Sequence, residues 1–142
     1  MNDRQRSALL GLLVGVTHTF VRLFAPTSGA TAIDANLTLV LLESVLTTGL
    51  LLAVVPGLAL YGAHRLSVSR SDPVRLAAVV AAGTGVAVLL TYPLLTAASA
   101  GAPFLEALRI RFVGPYLVNA LSPAVHSGVA ALAGFLLAAR TS

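Results

Sequence analysis

One stretch constrains this chain more than any other. Asn36–Tyr61 reads NLTLVLLESVLTTGLLLAVVPGLALY, an apolar run with a carboxylate, Glu43, well inside it. A helix needs about 20 apolar residues to cross a hydrocarbon core of roughly 30 Å, and this run is longer than that. An ionised side chain at mid-helix costs about 2.5–3.5 kcal/mol on insertion scales. Ten leucines between Leu37 and Leu60 offset it at roughly −0.5 kcal/mol each. The stretch therefore reads as a transmembrane helix in which Glu43 needs a hydrogen-bond donor, an opposite charge or a proton. An ionisable residue inside a span marks a functional-site hypothesis. The plainer reading is that Glu43 fixes helix packing.

The rest of the chain fits a membrane solvent. Hydrophobic residues make up 57% of the 142 residues and charged residues 10%, which is less than half the charged share of a soluble globule. The chain reads as one integral membrane domain, 1–142, with four spans near 8–24, 36–61, 74–98 and 115–139. There is no cysteine, so disulfides, thiolate metal sites and c-type haem attachment are excluded. All nine basic residues are arginine. They fall in short segments flanking apolar runs, so the net charge of +4 reads as membrane topology and not as nucleic-acid binding. With the N-terminus inside, Arg4, Arg6, Arg65, Arg70, Arg75 and Arg140 lie on the cytoplasmic side. Arg22, Arg109 and Arg111 lie outside. The bias predicts an N-in, C-in orientation and placement in the plasma membrane.

The first segment, Ala8–Phe24, follows a polar head that ends at Ser7. A signal peptide shares that layout, but His18 and Arg22 interrupt the apolar core and three more spans follow. Gly11, Gly15, His18 and Arg22 share one helical face, and the Gly11/Gly15 pair permits close helix approach. Residues 25–35 read as a loop, with Asp34 as the N-cap of the second span. Pro56-Gly57 is expected to bend that span. His64–Asp72 reads as a basic connector in which His64 is solvated or faces headgroups. Asp72 or Ser71 before Pro73 reads as an N-cap followed by the first helical residue.

In the third span Ala77, Ala81 and Gly85 recur every four residues and offer a flat packing face. Residues 103–112, PFLEALRIRF, carry an apolar stripe of Phe104, Leu105, Leu108 and Phe112. The pattern predicts a short interfacial helix between spans three and four. In the last span Asn119, Ser122 and His126 share a face, and Pro123 bends it. A histidine flanked by small polar residues recurs in the first and last spans, without a wider repeat.

The fold class expected is thus all-α, a bundle of four transmembrane helices. Threading the spans up and down places Glu43, His18, Arg22, Tyr92, Asn119, Ser122 and His126 in one half of the bilayer, so one intramembrane polar cluster around Glu43 is geometrically allowed. The first functional reading is an accessory or structural membrane subunit whose polar side chains satisfy one another. The alternative is a proton- or cation-coupled transporter or permeation unit using Glu43 with His18 and His126, since histidine titrates near neutral pH. A b-type haem held by His18 and His126, and a metal site of those two histidines with Glu43, are lesser alternatives. No phosphate loop, nucleophile elbow or dinucleotide fingerprint occurs, so no enzyme, cofactor or catalytic residue is expected. The partners expected are the lipid bilayer and a homodimer or larger membrane complex.

Overall fold

The computed structural model describes residues 2–24, 37–66, 72–101 and 110–141. The described chain is all-helical, with four helices: α1 (Asp3–Phe24), α2 (Leu37–Arg65), α3 (Pro73–Ala100) and α4 (Ile110–Thr141). Three of them hold segments long and apolar enough to cross a membrane, at Ser44–Arg65, Pro73–Ser99 and Gly114–Arg140.

Local chemistry sets the ends. At α1, Asn2 and Gln5 form a reciprocal cap: the Gln5 N–H donates to Asn2 Oδ1 at 2.9 Å and the Asn2 N–H donates to Gln5 Oε1 at 3.1 Å. Two orphan donors are thereby satisfied. The residues read as a polar head are the first turns of the helix, and Ser7 is fully buried. At α3, Asp72 caps as expected, its Oδ1 accepting from the Val74 N–H at 3.0 Å, with Pro73 opening the helix. Gly101 ends α3 in the left-handed region at φ 62°, where a β-carbon would be strained.

The helices are longer than the apolar runs. α2 continues to Arg65, so His64 is a half-buried residue of its last turn and not a solvated connector residue. α4 starts at Ile110, ahead of the expected Pro115. Pro56, Pro93, Pro115 and Pro123 are all accommodated inside helices. The Asp34 cap and residues 103–109 of the expected interfacial helix lie outside the described residues.

The helices close into a ring in the order α1, α3, α4, α2, which leaves α1 across from α4 and α2 across from α3. Close approaches give the directions. Gly11 faces Val80 and Gly83, and Gly15 faces Thr84 and Ala87, so α1 and α3 run parallel. Gly85 faces Ala124 and Gly128 faces Ala81, so α3 and α4 run antiparallel. Gly62 meets Leu10 while Val55 and Ala59 pack on Val14, and Gly134 meets Leu60 and Ala63 while Thr48 and Pro56 face the same cavity as Ser122 and His126, which makes α2 antiparallel to α1 and parallel to α4. Two helical hairpins therefore lie side by side. The ends carrying Arg4, Arg6, Arg65, Arg75 and Arg140 fall together, and Arg22 lies at the other end.

The interior is small and partly polar, whereas the exterior is large and apolar. α1 turns Ser7, Gly11, Gly15, His18 and Thr19 inward and exposes Leu9, Leu12, Leu13, Val16 and Phe20. A water-soluble helix does the reverse. Helices in lipid gain nothing by hiding leucine and pack through small residues. A tight apolar cluster of Val14, Val55 and Ala59 sits between α1 and α2. Another, of Ala63, Leu76, Val80, Ala131 and Phe135, fills the arginine-rich end.

Candidate functional site

Two polar systems run through the bundle, and they differ in how well they are satisfied. The first is a ladder of hydroxyls joining α1, α3 and α4. Ser127 Oγ lies 2.9 Å from Thr84 Oγ1 and 3.0 Å from the Ala124 carbonyl. Thr84 Oγ1 shares its proton between the Val80 carbonyl at 3.0 Å on its own helix and the Gly11 carbonyl at 3.2 Å on α1. Higher up, Thr91 Oγ1 lies 2.9 Å from Thr19 Oγ1, which donates to the Gly15 carbonyl at 3.0 Å. Ser127, Thr84 and Thr19 are completely buried, and each has partners. Such interhelical bonds contribute about 0.6–2 kcal/mol apiece. In a double-mutant cycle, Thr84→Val and Ser127→Ala are each expected to destabilise the protein by about 1 kcal/mol. The double variant is expected to fall short of the sum, because the shared bond is lost only once. Thermal or denaturant unfolding in detergent measures it.

The second system is the one expected from the sequence, and it is not satisfied. His18 is 7% exposed, and neither of its ring nitrogens has a hydrogen-bond partner among the described residues. It lines a partly enclosed cavity of about 180 Å³ between α1, α2 and α4. Arg22, Thr48, Ser122 and His126 share that lining, with Leu51, Leu52 and Val55 as its apolar wall. Ser122 Oγ and His126 Nδ1 lie 3.4 Å apart, one helical turn from each other on α4. Pro56 and Pro123 also border the cavity. Each proline removes one helical N–H and so weakens the ladder of backbone bonds at that point. Val55 belongs both to the wall and to the apolar cluster with Val14 and Ala59, which lies on the arginine-rich side of the cavity.

Of the residues expected in one cluster, the structure brings His18, Arg22, Ser122 and His126 together. Tyr92 stands beside them and not in the lining. The Arg22 guanidinium lies 5.7 Å from its ring centroid, and Tyr92 in turn meets Tyr116 edge-on at 5.8 Å. Asn119 is half-buried on α4 and does not line the cavity. Glu43 lies in α2, but its side chain is outside the described residues. Thr48, a turn further along α2, is a lining residue that sequence reasoning did not single out.

The hydroxyl ladder was missed as well, although a signal for it exists. His18-Thr19 and His126-Ser127 are consecutive pairs, and neighbours on a helix point about 100° apart. Each pair therefore sends its hydroxyl to α3 and its imidazole to the cavity. Among the described residues no group of three or more His, Cys, Asp or Glu side chains is placed to hold a metal ion. Compared with known proteins, the chain matches no family model, no curated protein and no solved structure.

Proposed function

We propose that this chain is a four-span plasma-membrane protein, N-in and C-in, that moves protons, alone or coupled to an ion, through a cavity in the outer half of the bilayer. His18 is the proton-carrying group and His126 its relay partner. The observation that carries this reading is the pair of unpartnered nitrogens on buried His18, at the wall of a cavity bordered by two prolines. A packing lock is expected to be satisfied and dry, which describes the Thr84 ladder and not His18. The lipid-facing apolar surface of α1 supports its being a fourth span. The gathering of Arg4, Arg6, Arg65, Arg75 and Arg140 at one end supports the orientation, by the positive-inside rule. The apolar floor of Val14, Val55 and Ala59 is the barrier that a helix shift at Pro56 or Pro123 would have to open.

The reading as an accessory subunit keeps one observation in its favour. The membrane-length window of α2 buries only 11% of its residues, against 33% for α3 and 39% for α4. Its exposed first half includes Ser44, Thr48 and Gly49 beside leucines, a surface suited to a second copy or a partner helix. A bis-histidine haem is disfavoured by size, because about 180 Å³ has room for several waters and none for a macrocycle.

The test is proton flux into liposomes carrying a trapped pH dye, driven by an imposed potential. Wild type is expected to exceed empty liposomes clearly. His18→Leu is expected to lose at least about tenfold, the usual scale for removing a proton-transfer group, while Thr84→Val keeps its flux per folded protein. Wild-type flux no greater than that of empty liposomes would sink the proposal.

A further inference from the structure

We infer that the cavity between α1, α2 and α4 is a binding site for a small monovalent anion, with the Arg22 guanidinium as its charge and His18, His126, Ser122 and Thr48 as its hydrogen-bond donors. The inference rests on the ion-handling reading above and names the class of ion.

Three features of the lining lead there. First, its five polar side chains can all donate an N–H or O–H. No carboxylate is among the described lining residues, so among them a metal cation would meet a guanidinium and no opposite charge. Second, among the described lining residues Arg22 is the one charged at every accessible pH. It sits in the last turn of α1 and is steadied against the face of Tyr92 at 5.7 Å. One fixed positive charge balances one negative charge, which favours a monovalent ion. Third, the His18 donor is not consumed elsewhere among the described residues. Both nitrogens of His18 lack partners among the described residues although the residue is buried. A buried polar group left unmade costs about 1–3 kcal/mol. An acceptor placed in the cavity would recover that cost at the ring nitrogen that carries the proton, and an anion would do so with a charge-assisted bond.

Size and surroundings fit the same class. A volume of about 180 Å³ accommodates a halide, nitrate or formate, and the walls of Leu51, Leu52 and Val55 lower the local dielectric, which strengthens the Arg22 attraction. The apolar walls also select against large, strongly hydrated multivalent ions, whose water must be stripped on entry. Arg65, the nearest comparison on the opposite end of the bundle, is engaged by Tyr61, its Nε donating to Tyr61 Oη at 3.1 Å.

The test uses the purified full chain in detergent at constant ionic strength, with sodium nitrate or chloride titrated against sodium gluconate, a bulky and strongly hydrated anion. Heat of binding and thermal midpoint are both read. Nitrate or chloride is expected to bind saturably and raise the midpoint. Arg22→Gln, an exposed position whose loss leaves the hydroxyl ladder intact, is expected to weaken binding about tenfold to a hundredfold. Arg65→Gln is expected to bind as wild type. No saturable binding, or binding unchanged in Arg22→Gln, overturns the anion site. Proton flux measured in gluconate alone separates the two failures. Flux that persists while nitrate and chloride do not bind leaves the proton reading standing and removes the anion. Absence of both removes both.

Discussion

Replacing Gly11 by alanine is expected to lower the thermal midpoint by roughly 3–15 °C. A β-carbon there would run into the Val80 carbonyl oxygen and stand 3.1 Å from Gly83 Cα, both backbone atoms of α3 that cannot rotate away. The two helices must separate, and the Thr84 bond to the Gly11 carbonyl, 3.2 Å long, goes with them. Overpacking of this kind costs about 1–3 kcal/mol and occasionally more, and about 1 kcal/mol shifts the midpoint of a chain this size by roughly 3–5 °C. Gly49→Ala supplies the opposite control. A β-carbon at Gly49 meets nothing within 4 Å, so the substitution is expected to gain about 0.5–1 kcal/mol from helix propensity alone. Equal effects at the two positions would mean that α1 and α3 do not approach as described.

His18→Leu is expected to do the reverse of what a structural histidine does: to raise stability by about 1–3 kcal/mol, roughly 3–15 °C, while removing proton flux. Leucine has a similar volume and no polar atom, so the substitution eliminates two unpartnered nitrogens without opening a large hole. A site that trades stability for function is a recognised pattern. Thr84→Val, also a near-isosteric exchange on a completely buried residue, is expected to move stability the other way. The pair of variants, measured by unfolding in detergent and by flux in liposomes, separates the two polar systems. A fall in stability for His18→Leu comparable to that for Thr84→Val would return His18 to the structural ladder.

The sequence was informative where the local rule and the global solvent agree. Runs of leucine, valine and alanine long enough for a bilayer form helices under either consideration, and Asp72-Pro73 caps α3 because the chemistry is confined to three residues. Helix ends were less legible. α1 begins at Asp3 and α2 reaches Arg65, since hydropathy marks where apolar residues stop and not where backbone hydrogen bonding stops. The Asn2–Gln5 cap was readable and would have placed the start of α1 correctly.

The polar cluster shows the same division. Helical periodicity put Gly11, Gly15, His18 and Arg22 on one broad face, and topology put His18, Ser122 and His126 at similar depth. Periodicity carries no information about which neighbour a face meets. An up-and-down chain of four helices can close with α1 beside α2 and α4, or, as here, beside α3 and α2. That choice is made by the small residues that let backbones touch: Gly11 and Gly15 against Gly83 and Thr84, and Ala77, Ala81 and Gly85 against Ala124 and Gly128. With α3 seated on α1, the hydroxyls of Thr19, Thr84, Thr91 and Ser127 meet and are satisfied, and the imidazoles of His18 and His126 are turned to the opposite side.

By itself, then, the sequence determined the all-helical class, the presence of apolar helices long enough to cross a membrane and the residue types available for a polar site. These follow from the solvent and from the 3.6-residue period, both readable one segment at a time. Only the tertiary structure decided which helices are neighbours, which polar groups spend their hydrogen bonds on packing, and which are left facing a cavity. Those outcomes depend on close contacts between residues far apart in the chain, and one methyl group at Gly11 is enough to forbid them.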